Sequence, residues 1–119
     1  MYEYKAKIIS VYDGDTCTAL VDLGFNINLE IKIRLFGIDT PELRGEDRDN
    51  GIKSRDRLRE LILDKNVTIK TYKDRTEKYG RWLASIYIDV PETIIGDIQY
   101  SVNDILVKEG LAIPYMDKI

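Results

Sequence analysis

The chain has 119 residues, a formal net charge of −3, and 44% hydrophobic against 33% charged residues, which fits one domain with its own core and excludes wholesale disorder. It contains no histidine and one cysteine, so histidine-activated nucleophiles, histidine-ligated zinc, histidine general bases and an internal disulfide are all excluded. No apolar run approaches the ~18 residues that span a bilayer, and Met1–Lys5 does not open a basic-then-apolar leader. These features predict no membrane partner and a cytoplasmic protein, or a secreted one whose export signal has been removed.

In chain order, residues 4–12 mix apolar and polar positions in a β-rich stretch and predict a first strand. Thr16–Leu23 predicts a second, with Asp13-Gly14-Asp15 as the turn between them. Cys17, among Thr16, Thr18 and Ala19, reads as a small buried strand residue. After the turn Gly24-Phe25-Asn26, the residues Ile27, Leu29, Ile31, Ile33 and Leu35 alternate with Asn28, Glu30, Lys32 and Arg34. That period of two predicts a third strand with one face in the core. Gly37 then interrupts the pattern. Arg34 and Asp39 are an odd number of residues apart, so an unbroken strand would send them to opposite faces. A break at Gly37 lets both reach one site.

Residues 43–50 are polar and turn-rich and predict a mobile loop. Leu58, Leu61 and Ile62 share one helical face over Lys53–Leu63. Val67–Tyr72 predicts a fourth strand, Lys73–Gly80 a charged loop, and Trp82–Ile88 a fifth strand. Residues 89–100 form a connection without a clear pattern. Ser101-Val102-Asn103-Asp104 resembles a capping box, with Asp in place of Glu, opening a short helix that Gly110 ends. No repeat or linker divides the chain, so residues 1–119 read as a single domain. The fold class is mainly β (α+β), a five-stranded Greek-key OB-fold barrel with two helices. The fold by itself specifies no function.

The pI of about 5.0 argues against a nucleic-acid partner, but the charge is unevenly spread: Lys53–Arg81 has ten Lys/Arg against five Asp/Glu, while both flanks are acidic. A basic middle can present one positive face to a phosphate backbone. It can equally be a solvated charged surface.

Three short segments carry the chemistry: Asp13-Gly14-Asp15-Thr16, then Arg34 followed by Asp39-Thr40-Pro41-Glu42, then Lys78-Tyr79-Gly80-Arg81. Each alone has an ordinary reading as a hairpin turn, a strand end or a solvated loop. In this order, they resemble the active-site segments of the staphylococcal nuclease (thermonuclease) family. Val102–Ala112 is similar to the family's second helix, so the resemblance runs from about Ile8 to Ala112.

The resemblance implies a Ca2+-dependent endonuclease that hydrolyses phosphodiester bonds of DNA or RNA, expelling the 5′-oxygen and leaving a 3′-phosphate. Asp15 and Asp39 would ligate calcium through side-chain oxygens, with the main-chain carbonyl of Thr40 as a third ligand. Glu42 would be the general base, and Arg34 and Arg81 would grip the scissile phosphate. Lys78 and Tyr79 would bind the neighbouring phosphate or nucleotide, and Tyr115 falls near the family's base-stacking tyrosines. Single-stranded nucleic acid and a monomeric state are the further expectations.

The residue types suit that chemistry. Ca2+ takes hard oxygen ligands in loose geometry, and guanidiniums donate bidentate hydrogen bonds to a phosphate gaining charge. Glu42, with a carboxylate pKa ordinarily near ~4.3, is a weak base and contributes mostly by positioning water.

The acidic pI departs from the strongly basic family, residues 89–100 are longer than its counterpart, and its last helix is expected to be missing. Two rivals stand beside the enzyme: a non-catalytic OB-fold module binding single strands by stacking and a basic groove, and a protein-interaction domain. The set Asp15, Arg34, Asp39, Glu42 and Arg81 favours the enzyme.

Overall fold

The structure, a computed structural model, describes residues 2–76 and 79–115. Five strands close a barrel: β1 (Tyr2–Asp13), β2 (Thr16–Asp22), β3 (Asn28–Leu35), β5 (Asn66–Thr76) and β6 (Trp82–Tyr87), in the order β1-β2-β3-β6-β5. All pairings are antiparallel except β3 with β6, which run parallel with Arg34 opposite Leu83. Two short strands, β4 (Ile38–Asp39) and β9 (Ile113–Pro114), pair with each other beside the barrel. Two helices, α1 (Arg48–Ile62) and α2 (Val102–Lys108), complete the OB-fold predicted from the sequence.

The core is aliphatic. Ile8, Ala19, Ile33, Leu35, Ile69, Ala84 and Ile86 project from the barrel strands, and Leu58, Ile62 and Leu106 seal it from the helices, all with no exposed surface. Each Ile or Leu side chain among them contributes about 1.5–3 kcal/mol relative to exposure. Cys17 is buried as predicted, and burial, reinforced by the nearby Asp13 charge, pushes its thiol up to about 12.

Four expectations need correction. The alternation in β3 has the predicted phase, but only its second half is sealed. Ile33 and Leu35 are buried, whereas Ile27 and Leu29 stay more than half exposed, because the β2–β3 hairpin projects past the packed interior. Residues 43–50 are not a plain loop: a 3-10 turn at Gly45–Asp47 leads into α1, which starts at Arg48 rather than near Lys53. The polar residues that read as loop chemistry include Glu46, Asp47 and Asp49, acidic groups suited to the positive end of a helix. The charged stretch after Tyr72 continues β5 to Thr76, where a register shift lets Thr76 pair with Trp82.

The connection 89–100 also has structure. A 3-10 turn at Pro91–Thr93 precedes a small hairpin, β7 (Ile94–Ile95) and β8 (Ile98–Gln99). Thr93 Oγ1 donates to the carbonyls of Ile88 and Val90, and Gln99 Nε2 donates to Ile88 O, which ties the insertion down.

The capping reading at Ser101 is met: its hydroxyl accepts the Asp104 N–H at 3.1 Å. Beyond α2, Glu109 receives a two-pronged contact from Arg57 of α1, Nε–Oε1 at 2.7 Å and Nη2–Oε2 at 2.9 Å. The Arg57 hydrogen bonds hold the Glu109 carboxyl below its usual range. A lowered folded-state value means the stabilisation is complete above the ordinary carboxylate range and disappears as the pH falls through the lowered value. Discounted for partial exposure, Glu109→Gln should cost roughly 0.5–1 kcal/mol at neutral pH. Urea unfolding of both proteins should show that difference shrinking towards zero on acidification.

Candidate active site

The site begins at the Asp13-Gly14-Asp15 turn. Asp15 N–H donates to Asp13 Oδ1 at 3.1 Å, and Asp15 itself is buried at 7% exposure. Its main-chain carbonyl accepts the Leu35 N–H, which locks the turn to the end of β3. The Asp15 carboxylate therefore faces the point where β3 breaks.

That break is Gly37, whose φ of +79° is a left-handed conformation that glycine adopts without steric cost. It ends β3 and restarts the chain as β4, so the faces of Arg34 and Asp39 coincide. The Arg34 guanidinium sits between two carboxylates, Nη1 at 3.3 Å from Asp15 Oδ2 and Nη2 at 3.5 Å from Asp39 Oδ1. Nη1 also donates to Leu35 O at 3.0 Å. The Thr40 N–H donates to Asp15 Oδ2 at 3.1 Å.

Arg81 joins through Thr16. Its Nη1 donates to Thr16 Oγ1 at 3.3 Å, and the same hydroxyl donates to Asp15 Oδ1 at 3.3 Å. The Arg81 guanidinium also lies over the Tyr79 ring, 5.3 Å from its centroid, and that ring is 71% exposed.

The structure thus brings Asp15, Arg34, Asp39, the Thr40 N–H and Arg81 into one connected group. Glu42 stands to the side. It lines a cleft of about 410 Å³ with Asp39, Thr40, Pro41 and Asp47, faced by Gly110–Ile113, and its carboxylate pairs with Arg44 at 3.3 Å. Tyr115 is half exposed and follows β9, with its N–H donating to Gly37 O at 2.8 Å. Lys78 lies outside the described residues.

The electrostatics show crowded negative charge. Burial, then the Asp15 charge, pushes the Asp13 carboxyl up to about 6. Asp39 is also raised, by burial first and by Asp15 second, against the opposing pull of Arg34. Among the described residues, no three His, Cys, Asp or Glu side chains converge as a metal site by themselves. Two aspartates that share one arginine still offer hard oxygen donors and an excess of negative charge. That donor set fits an oxygen-liganded cation such as Ca2+, which completes its shell with carbonyls and water.

Three contributors have no individual role assigned from the sequence, although two of them lie in a segment singled out there. Asp13 and Thr16 belong to the same short motif as Asp15, and their nearness to it was the available signal. Asn103 left none. It is buried in α2, accepts the Ile86 N–H through Oδ1, and donates through Nδ2 to Phe36 O at 2.8 Å and Ala84 O at 3.2 Å. It thereby anchors the chain where β3 breaks.

The family described as "Staphylococcal nuclease homologue" matches residues 32–118. The chain is similar to Micrococcal nuclease of Shigella flexneri, 31% identical over 95% of this chain and 59% of the relative. It is 28% identical to Protein ParB of Escherichia coli over 95% of this chain and 58% of that protein. The SPbeta prophage-derived endonuclease YokF of Bacillus subtilis is 34% identical over 84% of this chain and 30% of its own length. The chain therefore spans less than two thirds of these relatives. No helix among the described residues is long and apolar enough to cross a membrane.

Asn103→Ala removes the side-chain partner of the Ile86 N–H and of the Phe36 carbonyl, while Ala84 O keeps the Phe36 N–H, and losing buried hydrogen bonds costs roughly 1–3 kcal/mol per group. Urea unfolding should therefore show a loss of at least about 2 kcal/mol. Asn103→Asp, which turns a carboxylate oxygen toward the Phe36 and Ala84 carbonyls in a buried place, should lose at least as much.

Proposed function

The chain belongs to the staphylococcal nuclease family, and on that premise we propose that it is a calcium-dependent nuclease cutting phosphodiester bonds of DNA or RNA. The observation that carries this reading is the Arg34 guanidinium held between Asp15 and Asp39, with Arg81 linked to the same group through Thr16. A fold that needed only stability gains nothing from gathering like charges this closely, since they repel one another.

Arg34 and Arg81 are the phosphate-gripping residues in this reading. Charge-assisted N–H···O contacts ordinarily run ~2.7–2.9 Å, so the 3.3 and 3.5 Å contacts of Arg34 are long. Its guanidinium keeps capacity to donate to non-bridging phosphate oxygens as charge grows on them. Arg81, stacked on Tyr79, brings a second guanidinium to the same phosphate.

Glu42 is the base that orients the attacking water and takes its proton onto a carboxylate oxygen. Its partner Arg44 is 87% exposed and Glu42 itself 69% at the side chain. Exposed pairs of this kind contribute ~0–1 kcal/mol, so substrate binding in the cleft can displace Arg44.

Asp15 and Asp39, with the Thr40 carbonyl, are the groups that would hold calcium, which when bound supplies a Lewis acid for the phosphoryl oxygen and offsets the carboxylate charge. Tyr79, Lys78 and Tyr115 are the substrate-binding candidates. Exposed aromatic faces favour unpaired bases, which supports single-stranded nucleic acid as the preferred substrate of a monomeric enzyme.

Purified protein should degrade single-stranded DNA with calcium and stop when a chelator is added. Glu42→Gln should bind the strand and lose turnover, while strand binding without cutting in both proteins would favour a pure binding module. Arg34→Lys and Arg81→Lys should each lose about 100-fold or more in kcat while remaining folded. Near-normal rates in either would reject that arginine's role.

A further inference from the structure

The start of α1 carries a glycine that its helix does not need. Gly51 lies within the first turns of α1, has no left-handed φ, and is buried. Glycine is among the poorest helix formers, so its presence there calls for a packing reason. A Cβ built at Gly51 would overlap the Glu42 carbonyl oxygen, and would lie 2.8 Å from both Glu42 C and Pro41 O. The helix therefore meets the backbone that carries Glu42 main chain to main chain, with no room for a methyl group.

One turn along the same face, Ser54 is fully buried and donates from Oγ to Leu111 O at 2.6 Å. Its Cβ sits opposite Gly14, the middle of the Asp13–Asp15 turn. A Cβ built at Gly14 would come within 2.7 Å of Ser54 Cβ and 2.9 Å of Thr40 Cβ. Gly14 also lacks a left-handed φ, so space rather than backbone freedom selects glycine there too. One face of α1 thus touches both halves of the site: Gly51 against Pro41–Glu42, and Ser54 against the turn that presents Asp15.

We propose that Gly51 and Ser54 are positioning residues, which use close backbone contact with α1 to set the distance between Glu42 and the Asp15–Arg34–Asp39 group. The inference rests on Glu42 acting as the base. It explains how a residue on an exposed segment, outside the connected charge group, is kept at working distance. Neither residue reaches substrate. They act by fixing where the Glu42 main chain starts.

The test is a double-mutant cycle on single-stranded DNA cleavage in calcium, with kcat and KM measured for the wild type, Gly51→Ala, Glu42→Gln and the double variant. Displacements of about 1 Å cost roughly 100-fold in rate, so Gly51→Ala should lower kcat by roughly 10- to 100-fold with KM within about twofold. The double variant should be no slower than Glu42→Gln alone, because a misplaced base and an absent one are equivalent. Arg57→Ala, which loosens the same helix from Glu109 without touching this contact, should lower Tm and leave kcat unchanged. A purely structural role for Gly51 predicts that Gly51→Ala behaves like Arg57→Ala, with lost Tm and unchanged kcat.

Wild-type kcat in folded Gly51→Ala, or a double variant that loses the full product of the two single effects, would overturn the inference alone. Near-normal turnover in Glu42→Gln would overturn the base assignment and the inference with it. If Gly51→Ala is unfolded at the assay temperature, Ser54→Thr is read instead, since its added methyl presses on Gly14 and Thr40. It should lower kcat at unchanged KM, and wild-type kcat there would count against the inference.

Discussion

The site depends on one guanidinium holding two carboxylates that the rest of the chain forces together. Asp15 comes from the β1–β2 turn and Asp39 from the strand that restarts after Gly37, and Arg34 is the cation between them. Burial first, and the Asp15 charge second, raise the Asp13 and Asp39 carboxyls. Compensation is partial: the Thr40 N–H, the Thr16 hydroxyl and Arg34 all point at Asp15, yet the Arg34 contacts remain long. Such an under-compensated group is what a cation and a phosphate together would complete.

The remainder of the fold serves to keep that arrangement from relaxing. The Leu35 N–H to Asp15 O bond joins the first turn to the end of β3. Asn103 reaches from α2 to Phe36 just before the break and to Ala84 of β6 beside it, and Ser54 reaches from α1 to the chain after α2. Backbone positions that would otherwise drift under like-charge repulsion are therefore tied to the barrel by buried hydrogen bonds. Buried networks of this kind are costly to disturb, because each lost partner leaves a desolvated group behind.

What could be read from the sequence follows from the range of each signal. The alternation through Ile33 and Leu35, the helical face of Leu58, Leu61 and Ile62, and the Ser101 cap are local patterns, and the structure contains them. Exposure of Ile27 and Leu29 was not legible, since it depends on how far a hairpin overhangs the barrel. The early start of α1 was hidden because acidic residues serve loops and helix N-termini equally well. In the site, the meeting of Arg34 with Asp15 and Asp39 was readable from three ordered motifs and one interrupting glycine. The roles of Asn103, Ser54 and Gly51 were not, because each is defined by a partner far along the chain.

We propose that the Arg34-bridged aspartates form a cation site. Isothermal titration of Ca2+ into the wild type and Asp39→Asn, both verified as folded, tests it most directly. Saturable one-site binding is expected in the wild type, and Asp39→Asn should abolish it or weaken it at least about tenfold, since a carboxylate ligand is lost. Equal binding by the two proteins, or no saturable heat in either, would contradict it.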